Sequence, residues 1–358
     1  MSPMFVPGPV DVASEVLAAQ AQPMLPHRGK EFEAIFQRAS EKAKKLFYTQ
    51  SRVFLLTASG TGCQEAAIRN LVKERVLTCV NGSFSGRFFE VAASNGKAAD
   101  KIEVPWGQAI LPEMVAEALK KEKYDAITIV HNETSTGVQN PVREIAARVH
   151  ELSPETMICV DAVSSLAGTK IEMDAWGLDL LFTSSQKCLA LPPGLALCAV
   201  SDRAITRAEQ VPNRGWYFDL VRMEKHRTKD STPATPAMSL IYALDLQLDR
   251  IQAEGLENRF SRHSAMAERS LEWAEKKGWP LFAPKGYRSQ TLTVVQNPES
   301  FDLAALNKFM VPKGVRLANG YGQLKGKTFR IAHMGEIQMQ DLETLLALMD
   351  EFLAQSGS

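Results

Sequence analysis

The sequence has no excess of either charge. Its 41 Lys and Arg residues are matched by 41 Asp and Glu, so no overall field draws it to a nucleic acid or an anionic membrane, and neither is expected as a partner. It has no apolar run of the roughly 20 residues a membrane span needs; the longest candidate, residues 188–200, is interrupted by Pro192 and Pro193. The opening "MSPMFVPGPVDVASEVL" lacks the basic region, apolar stretch and small-residue cleavage site of a secretory leader. Cysteine is scarce and unpatterned: Cys63, Cys79, Cys159, Cys188 and Cys198 are odd in number and contain no Cys-x-x-Cys pair. Neither a disulfide framework nor a zinc site is therefore expected, no metal is expected, and a reducing cytoplasm is the simplest compartment. Repeats, low-complexity tracts and blocks of like charge are also missing, which leaves a continuous folded chain handling small molecules.

What is present is alternation. With 358 residues, 45% of them hydrophobic, the chain is long enough for two domains. "GCQEAAIRNLVK" (62–73) reads as helix, "RVLTCV" (75–80) as strand, "GRFFEVAASNG" (86–96) as helix closed by glycine and "DKIEVPW" (100–106) as strand. "LPEMVAEALKKE", "VREIAARVHEL" and the strands "YDAITIVHN", "TMICVDAV", "LDLLFTSS" and "GLALCAV" continue the series. Such βαβ order implies an α/β fold with a mostly parallel, doubly wound sheet, whose ligands sit outside the carboxyl ends of the strands. After about residue 230 the pattern changes to one long helical stretch from 235, a strand at 291–295, a helix at 302–309, "KTFRIAHMG" and a last helix at 338–354. The expected division is an N-terminal arm (1–20), a large domain (21–255) and a smaller C-terminal α+β domain (256–358).

The strand ends carry the chemistry. "TASGTG" (57–62) leads into a helix, so its small residues let backbone N–H groups surround an anion such as phosphate; alone it is equally a tight turn. Asp161 closes the apolar strand "MICVD", where an unpaired carboxylate is costly. Lys187 follows a later apolar strand; alone it reads as a solvated loop lysine, and Asp161 as a cap. An anion cradle, an aspartate and a lysine at neighbouring strand ends together match the needs of pyridoxal phosphate. Its phosphate needs amides, its ring nitrogen a carboxylate and its aldehyde a lysine amine.

These residues bring out a resemblance that runs over nearly the whole chain. "PGPVDVASEVLAA" (7–19), "HRGKEF" (27–32), "TASGTGCQEAA" (57–67), "HNETSTGV" (131–138), "VDAVSSLAG" (160–168), "SSQKCLALPPGLAL" (184–197), "TPAMSLIYALDLQLDRIQAEGLENR" (235–259) and "GQLKGKTFRIAHMG" (322–335) resemble the class V aminotransferases of fold-type I. The similar branch is that of alanine–glyoxylate and serine–pyruvate or serine–glyoxylate aminotransferases. The resemblance implies pyridoxal 5'-phosphate as cofactor, Lys187 as the lysine bonded to it and Asp161 as partner of the ring nitrogen. It further implies Val163 and Phe84 on the two faces of the ring, Ser59, Gly60, Thr61 and Gln186 around the phosphate, and Thr134 at the ring hydroxyl. A homodimer partner is implied to complete the phosphate site through Thr235 and Thr232, the latter where the family has tyrosine. Arg330 is implied to hold the substrate carboxylate, with Gly8, His27 and Arg28 near the substrate.

The function expected is therefore ping-pong transfer of an amino group from alanine or serine to glyoxylate or pyruvate. Phosphoserine aminotransferase is the alternative, because "HRGKEF" is shared with it, although Lys325 and Lys327 are the only cations preceding Arg330 in "NGYGQLKGKTFR". Aspartate is a further possible donor on the same fold. Cysteine desulfuration needs a nucleophilic cysteine on a late loop, whereas the last cysteine, Cys198, lies in an expected strand and Phe84 stands where a histidine is needed. A binding module without covalent chemistry would take up no coloured cofactor.

Overall fold

A computed structural model describes residues 3–298 and 301–356. The chain opens with β1 (Met4–Phe5), α1 (Ser14–Ala19) and α2 (Lys30–Phe47). The βαβ series follows: β2 (Arg52–Leu56), α3 (Gly60–Leu71), β3 (Arg75–Val80), α4 (Ser83–Ser94), β4 (Ala98–Glu103), α5 (Pro112–Lys121), β5 (Ala126–Val130), a short hairpin of β6 (Asn132–Glu133) and β7 (Val138–Gln139), α6 (Val142–Leu152), β8 (Met157–Asp161), β9 (Leu180–Ser184) and β10 (Ala196–Val200). Then come α7 (Asp202–Gln210), α8 (Leu220–Arg227), α9 (Met238–Glu254), α10 (Leu256–Lys276), β11 (Leu292–Gln296), α11 (Leu303–Met310), β12 (Arg316–Asn319), β13 (Thr328–Ala332) and α12 (Met339–Ser356).

Seven strands form one sheet in the order β2-β10-β9-β8-β5-β3-β4. Neighbours pair in parallel except β10, which runs antiparallel to both β2 and β9. Sequence reading expects a mostly parallel sheet, and it is one. The direction of "GLALCAV" was not readable from its apolar composition; the Pro192-Pro193-Gly194 turn reverses the chain and sends it back beside β9. Alternate strand residues face opposite ways. Val53, Leu55, Ile127, Ile129, Ile158, Val160 and Leu181 join one core with α2, α5, α6 and α9, while Phe54, Leu56, Val76, Cys159, Leu180, Phe182 and Cys198 join a second with α3, α4, α7 and α8. Helices on both faces explain why β5, β8, β9 and β10 are buried at every position. Edge strand β4 instead carries Asp100, Lys101 and Glu103, charges that discourage further pairing.

A second sheet of order β1-β12-β13-β11 packs with α10, α11 and α12 around Phe5, Trp273, Phe301 and Phe329. Strand β13, which carries Arg330, is interior to this sheet and not at an edge, so the guanidinium side chain starts from a buried strand. The single long helical stretch expected after residue 235 is two helices. Gly255 breaks it at φ +83°, a backbone conformation that L side chains rarely adopt. No helix among the described residues is long and apolar enough to cross a membrane.

Candidate active site

A cavity of about 300 Å³ opens at the carboxyl ends of β2, β5, β8 and β9. Ser59, Gly60, Thr61, Gln64, Phe84, Arg87, Asn132, Thr134, Asp161, Val163, Ser164, Ser184, Gln186 and Lys187 line it. The sheet thus gathers most of the residues expected from the sequence. Lys187 lies in the turn after β9, and Asp161 is the last residue of β8, held in register opposite Phe182.

The expected anion cradle coincides with the start of α3. Ser59 is extended and makes no side-chain capping bond, and the N–H groups of Gly60 and Thr61 have no acceptor among the described residues. An uncapped helix start concentrates partial positive charge there. Gly60 is required by space, because a Cβ on it would sit 2.4 Å from Val163 Cγ2.

Asp161 is buried and accepts two hydrogen bonds, from the Val163 N–H to Oδ1 at 3.0 Å and from Gln64 Nε2 to Oδ2 at 2.8 Å. Burial pushes its carboxyl up to about 6 despite these donors. Lys187 is largely buried, and burial together with the Arg330 charge lowers its ammonium to about 8. Its Nζ donates to the carbonyl of Pro7. The N-terminal segment therefore touches the lysine, and Gly8 fits there because a Cβ on it would come 2.7 Å from Lys187 Cδ.

Phe84 is in the first turn of α4, which begins at Ser83, three residues earlier than its periodicity suggests. The cause is Glu133, whose buried carboxylate accepts from the N–H groups of Phe84 and Ser85 and from the Ser85 hydroxyl. It caps α4 from another strand and so fixes the Phe84 ring. Tyr321 stacks on that ring at 5.3 Å between centroids, the Arg87 guanidinium lies 5.0 Å from its centroid, and Arg330 lies 5.6 Å from the Tyr321 centroid. Arg330 is 8% exposed. It donates through Nε to the Asn319 carbonyl at 2.8 Å and has no carboxylate partner among the described residues. Burial lowers it to about 10.

Thr134 shares a 2.7 Å hydrogen bond with Ser164. His27 and Arg28 lie on the segment before α2 and do not line the cavity within this chain. Thr232 and Thr235 border a different, smaller cavity of about 40 Å³ with Thr57, Tyr217 and Arg227. Gln64, Arg87, Asn132, Ser164 and Ser184 were not among the residues expected from the sequence. Asn132 in "HNETSTG", Ser164 in "DAVSS" and Ser184 in "TSSQK" stand at strand ends, the signal that could have found them.

Four polar atoms on the cavity wall, Gln64 Oε1, Asn132 Oδ1, Ser184 Oγ and Gln186 Oε1, are buried without a hydrogen-bond partner among the described residues. Buried orphans of this kind are uncommon, and here they converge with an uncapped helix start, a buried carboxylate and a lysine with a lowered pKa. The set fits pyridoxal phosphate, which presents a phosphate, a ring hydroxyl and a ring nitrogen to be bonded.

The Aminotransferase class-V family matches residues 10–321. An uncharacterized aminotransferase of Methanocaldococcus jannaschii is 38% identical over 362 residues, with 99% of this chain and 93% of the relative covered. An L-aspartate–glyoxylate aminotransferase of Paracoccus denitrificans is 33% identical, with 94% and 87% covered. The solved structure of an alanine–glyoxylate aminotransferase from Nostoc sp. superposes with a TM-score of 0.91 at 30% identity, covering 99% of this chain and 96% of that one.

Proposed function

The chain belongs to the class V aminotransferases, pyridoxal-phosphate enzymes of fold-type I, and from that premise we propose that it moves the amino group of alanine or serine to a 2-oxo acid such as glyoxylate or pyruvate. The observation that carries the reading is Lys187 and Asp161 facing one cavity, with Arg330 over the ring of Tyr321, which stacks on the cavity residue Phe84. Pyridoxal phosphate, when bound, supplies the aldehyde that takes up the amino group and a ring that delocalises the electron pair left on the donor's α-carbon.

The rest is work for the chain. Lys187, with its ammonium lowered to about 8, holds an appreciable fraction of neutral amine at physiological pH, so it serves both to bond the cofactor and to carry a proton to and from the α-carbon. Asp161 holds the proton on the ring nitrogen by opposite charge. Ser59, Gly60, Thr61, Ser184 and Gln186 hold the phosphate, Thr134 orients the ring hydroxyl, and Val163 and Phe84 bracket the ring. Arg330 grips the substrate carboxylate with the guanidinium nitrogens that Asn319 leaves free.

Crowding of Lys187 by Pro7 and Gly8 favours a donor with a short side chain. A second reading, a dicarboxylate donor such as aspartate, is favoured by Arg87, a cavity cation without a carboxylate partner among the described residues. Phosphoserine has less support, since Lys325 and Lys327 are exposed and line no part of the cavity. A half-reaction screen decides among them. Visible absorbance of the holoenzyme should be lost fastest with alanine or serine; fastest loss with aspartate selects the second reading, and loss with phosphoserine alone refutes both.

We also propose a homodimer with shared sites, in which Thr235 and Thr232 reach the phosphate of the partner's cofactor. Their position outside their own chain's cavity, next to the exposed aromatic Tyr217, supports this. Mixing inactive Lys187→Ala with inactive Thr235→Glu should restore about a quarter or less of parent activity; a confirmed mixed dimer with none contradicts the arrangement. All five cysteines are buried and unpaired, which supports a reducing cytoplasm and leaves none placed as the exposed nucleophile that desulfuration requires.

A further inference from the structure

Gln64 has no part in the function above, yet it is placed beside the group on which the ring chemistry depends. It lies on α3 one turn after Gly60, so the two positions share a helix face. It is 2% exposed. Its amide Nε2 donates to Asp161 Oδ2 at 2.8 Å and more weakly to the Phe84 carbonyl at 3.3 Å. Its Oε1 is one of the orphaned buried atoms on the cavity wall.

We propose that Gln64 is a positioning residue for Asp161: its amide and the Val163 N–H each take one carboxylate oxygen, so that Asp161 is held ionised and in one orientation, with its remaining lone pairs available to a ring nitrogen. The proposal rests on the reading of Asp161 as the cofactor's partner.

The physical case is one of supply and demand. A carboxylate at this depth loses its water, and it stays charged only if donors replace that water. Two neutral donors do so here, one from the backbone and one from Gln64. The charged and titratable groups around it divide. Glu133 after β5 and the Cys63 thiol on α3 oppose its charge or give it nothing, and His131, whose N–H bonds the Asp161 carbonyl, is held neutral by burial with its pKa near 4. Lys187 favours the charge only as the weakest of the influences on it, and Arg87 lies over the Phe84 ring and makes no hydrogen bond to Asp161. Gln64 is then the side chain that keeps Asp161 ionised until the ring nitrogen arrives, and its second bond, to the Phe84 carbonyl, ties the same amide to the start of α4, which carries the ring-stacking residue.

The tests are Gln64→Met and Gln64→Leu, which remove the donor and keep most of the volume. A hydrogen bond to a charged group is of a size to change affinity by roughly 10- to 100-fold when lost. Apoenzyme of either variant should bind pyridoxal phosphate about tenfold or more weakly at pH 6, and less so at pH 8.5, so that the pH midpoint of binding moves upward. In an Asp161→Asn background the same substitutions should leave that midpoint where it was. A general packing defect would weaken binding equally at both pH values and in both backgrounds. A measurement on the unaltered chain needs no cofactor at all. With 15N-labelled glutamine, one side-chain amide signal of the apoenzyme should shift with a midpoint near pH 6 and stop shifting in Asp161→Asn.

Parent apoenzyme that fails to bind the cofactor would remove the reading of the site. Parent binding with unchanged pH midpoints in the variants, or no glutamine amide that follows Asp161, would overturn the role given to Gln64 alone.

Discussion

Replacing Lys187 by alanine should lower kcat by at least about 10⁴-fold, the upper range for loss of a general acid–base group, because in the proposed function the same nitrogen also makes the bond to the cofactor. Steady-state turnover with the best donor of the half-reaction screen, measured on cofactor-loaded variant, checks this; activity within tenfold of the parent would remove Lys187 from the reaction. The fold should tolerate the change. The ammonium is lowered to about 8 by burial and by Arg330, below its ordinary value in the unfolded chain, so the folded apoenzyme binds this proton less readily than the unfolded one. That costs stability below pH 8, and the cost is relieved as pH rises from about 8 toward the ordinary lysine value. At pH 7 the alanine variant is freed of it, and its apoenzyme should unfold no earlier than the parent.

Asp161→Asn is the second large effect and has the same two signs. Removing one member of a buried charge pair costs about 2–5 kcal/mol, roughly 30- to 5,000-fold in rate, and the loss should fall on kcat more than on KM, since the ring-nitrogen charge matters most when the donor's α-carbon gives up its proton. In the apoenzyme the carboxyl is raised to about 6 by burial. It therefore holds a proton more tightly folded than unfolded, and stability falls as pH rises from about 4 through 6. The asparagine variant lacks this loss, so its thermal midpoint should gain on the parent over that interval and stay level above it. Lower stability of Asp161→Asn at every pH would mean the carboxylate is structural.

The two charged residues were legible in the sequence for a physical reason. Each ends or follows an apolar strand, where a charge is costly unless chemistry uses it, and "ASGTG" announces by small size alone that backbone must come close to something. What the sequence hid depends on which elements pack together. Gln64 meets Asp161 across 97 residues of chain only because α3 lies over the end of β8. Tyr321 follows β12, and its stacking on Phe84 was hidden because it depends on α4 meeting the second sheet. The start of α4 was misplaced because its cap, Glu133, comes from another element. Gly255 lies inside the one helical stretch expected after residue 235, and its positive φ marks it as the break between α9 and α10. His27 and Arg28 resemble substrate contacts, yet in one chain they stay off the cavity wall.

Cofactor attachment is the claim on which the rest depends. Protein incubated with pyridoxal phosphate, reduced with borohydride to lock any lysine–cofactor bond and digested for mass mapping should carry one cofactor, on the peptide containing Lys187. Label on another lysine, or none on a protein that binds the cofactor, would contradict the account.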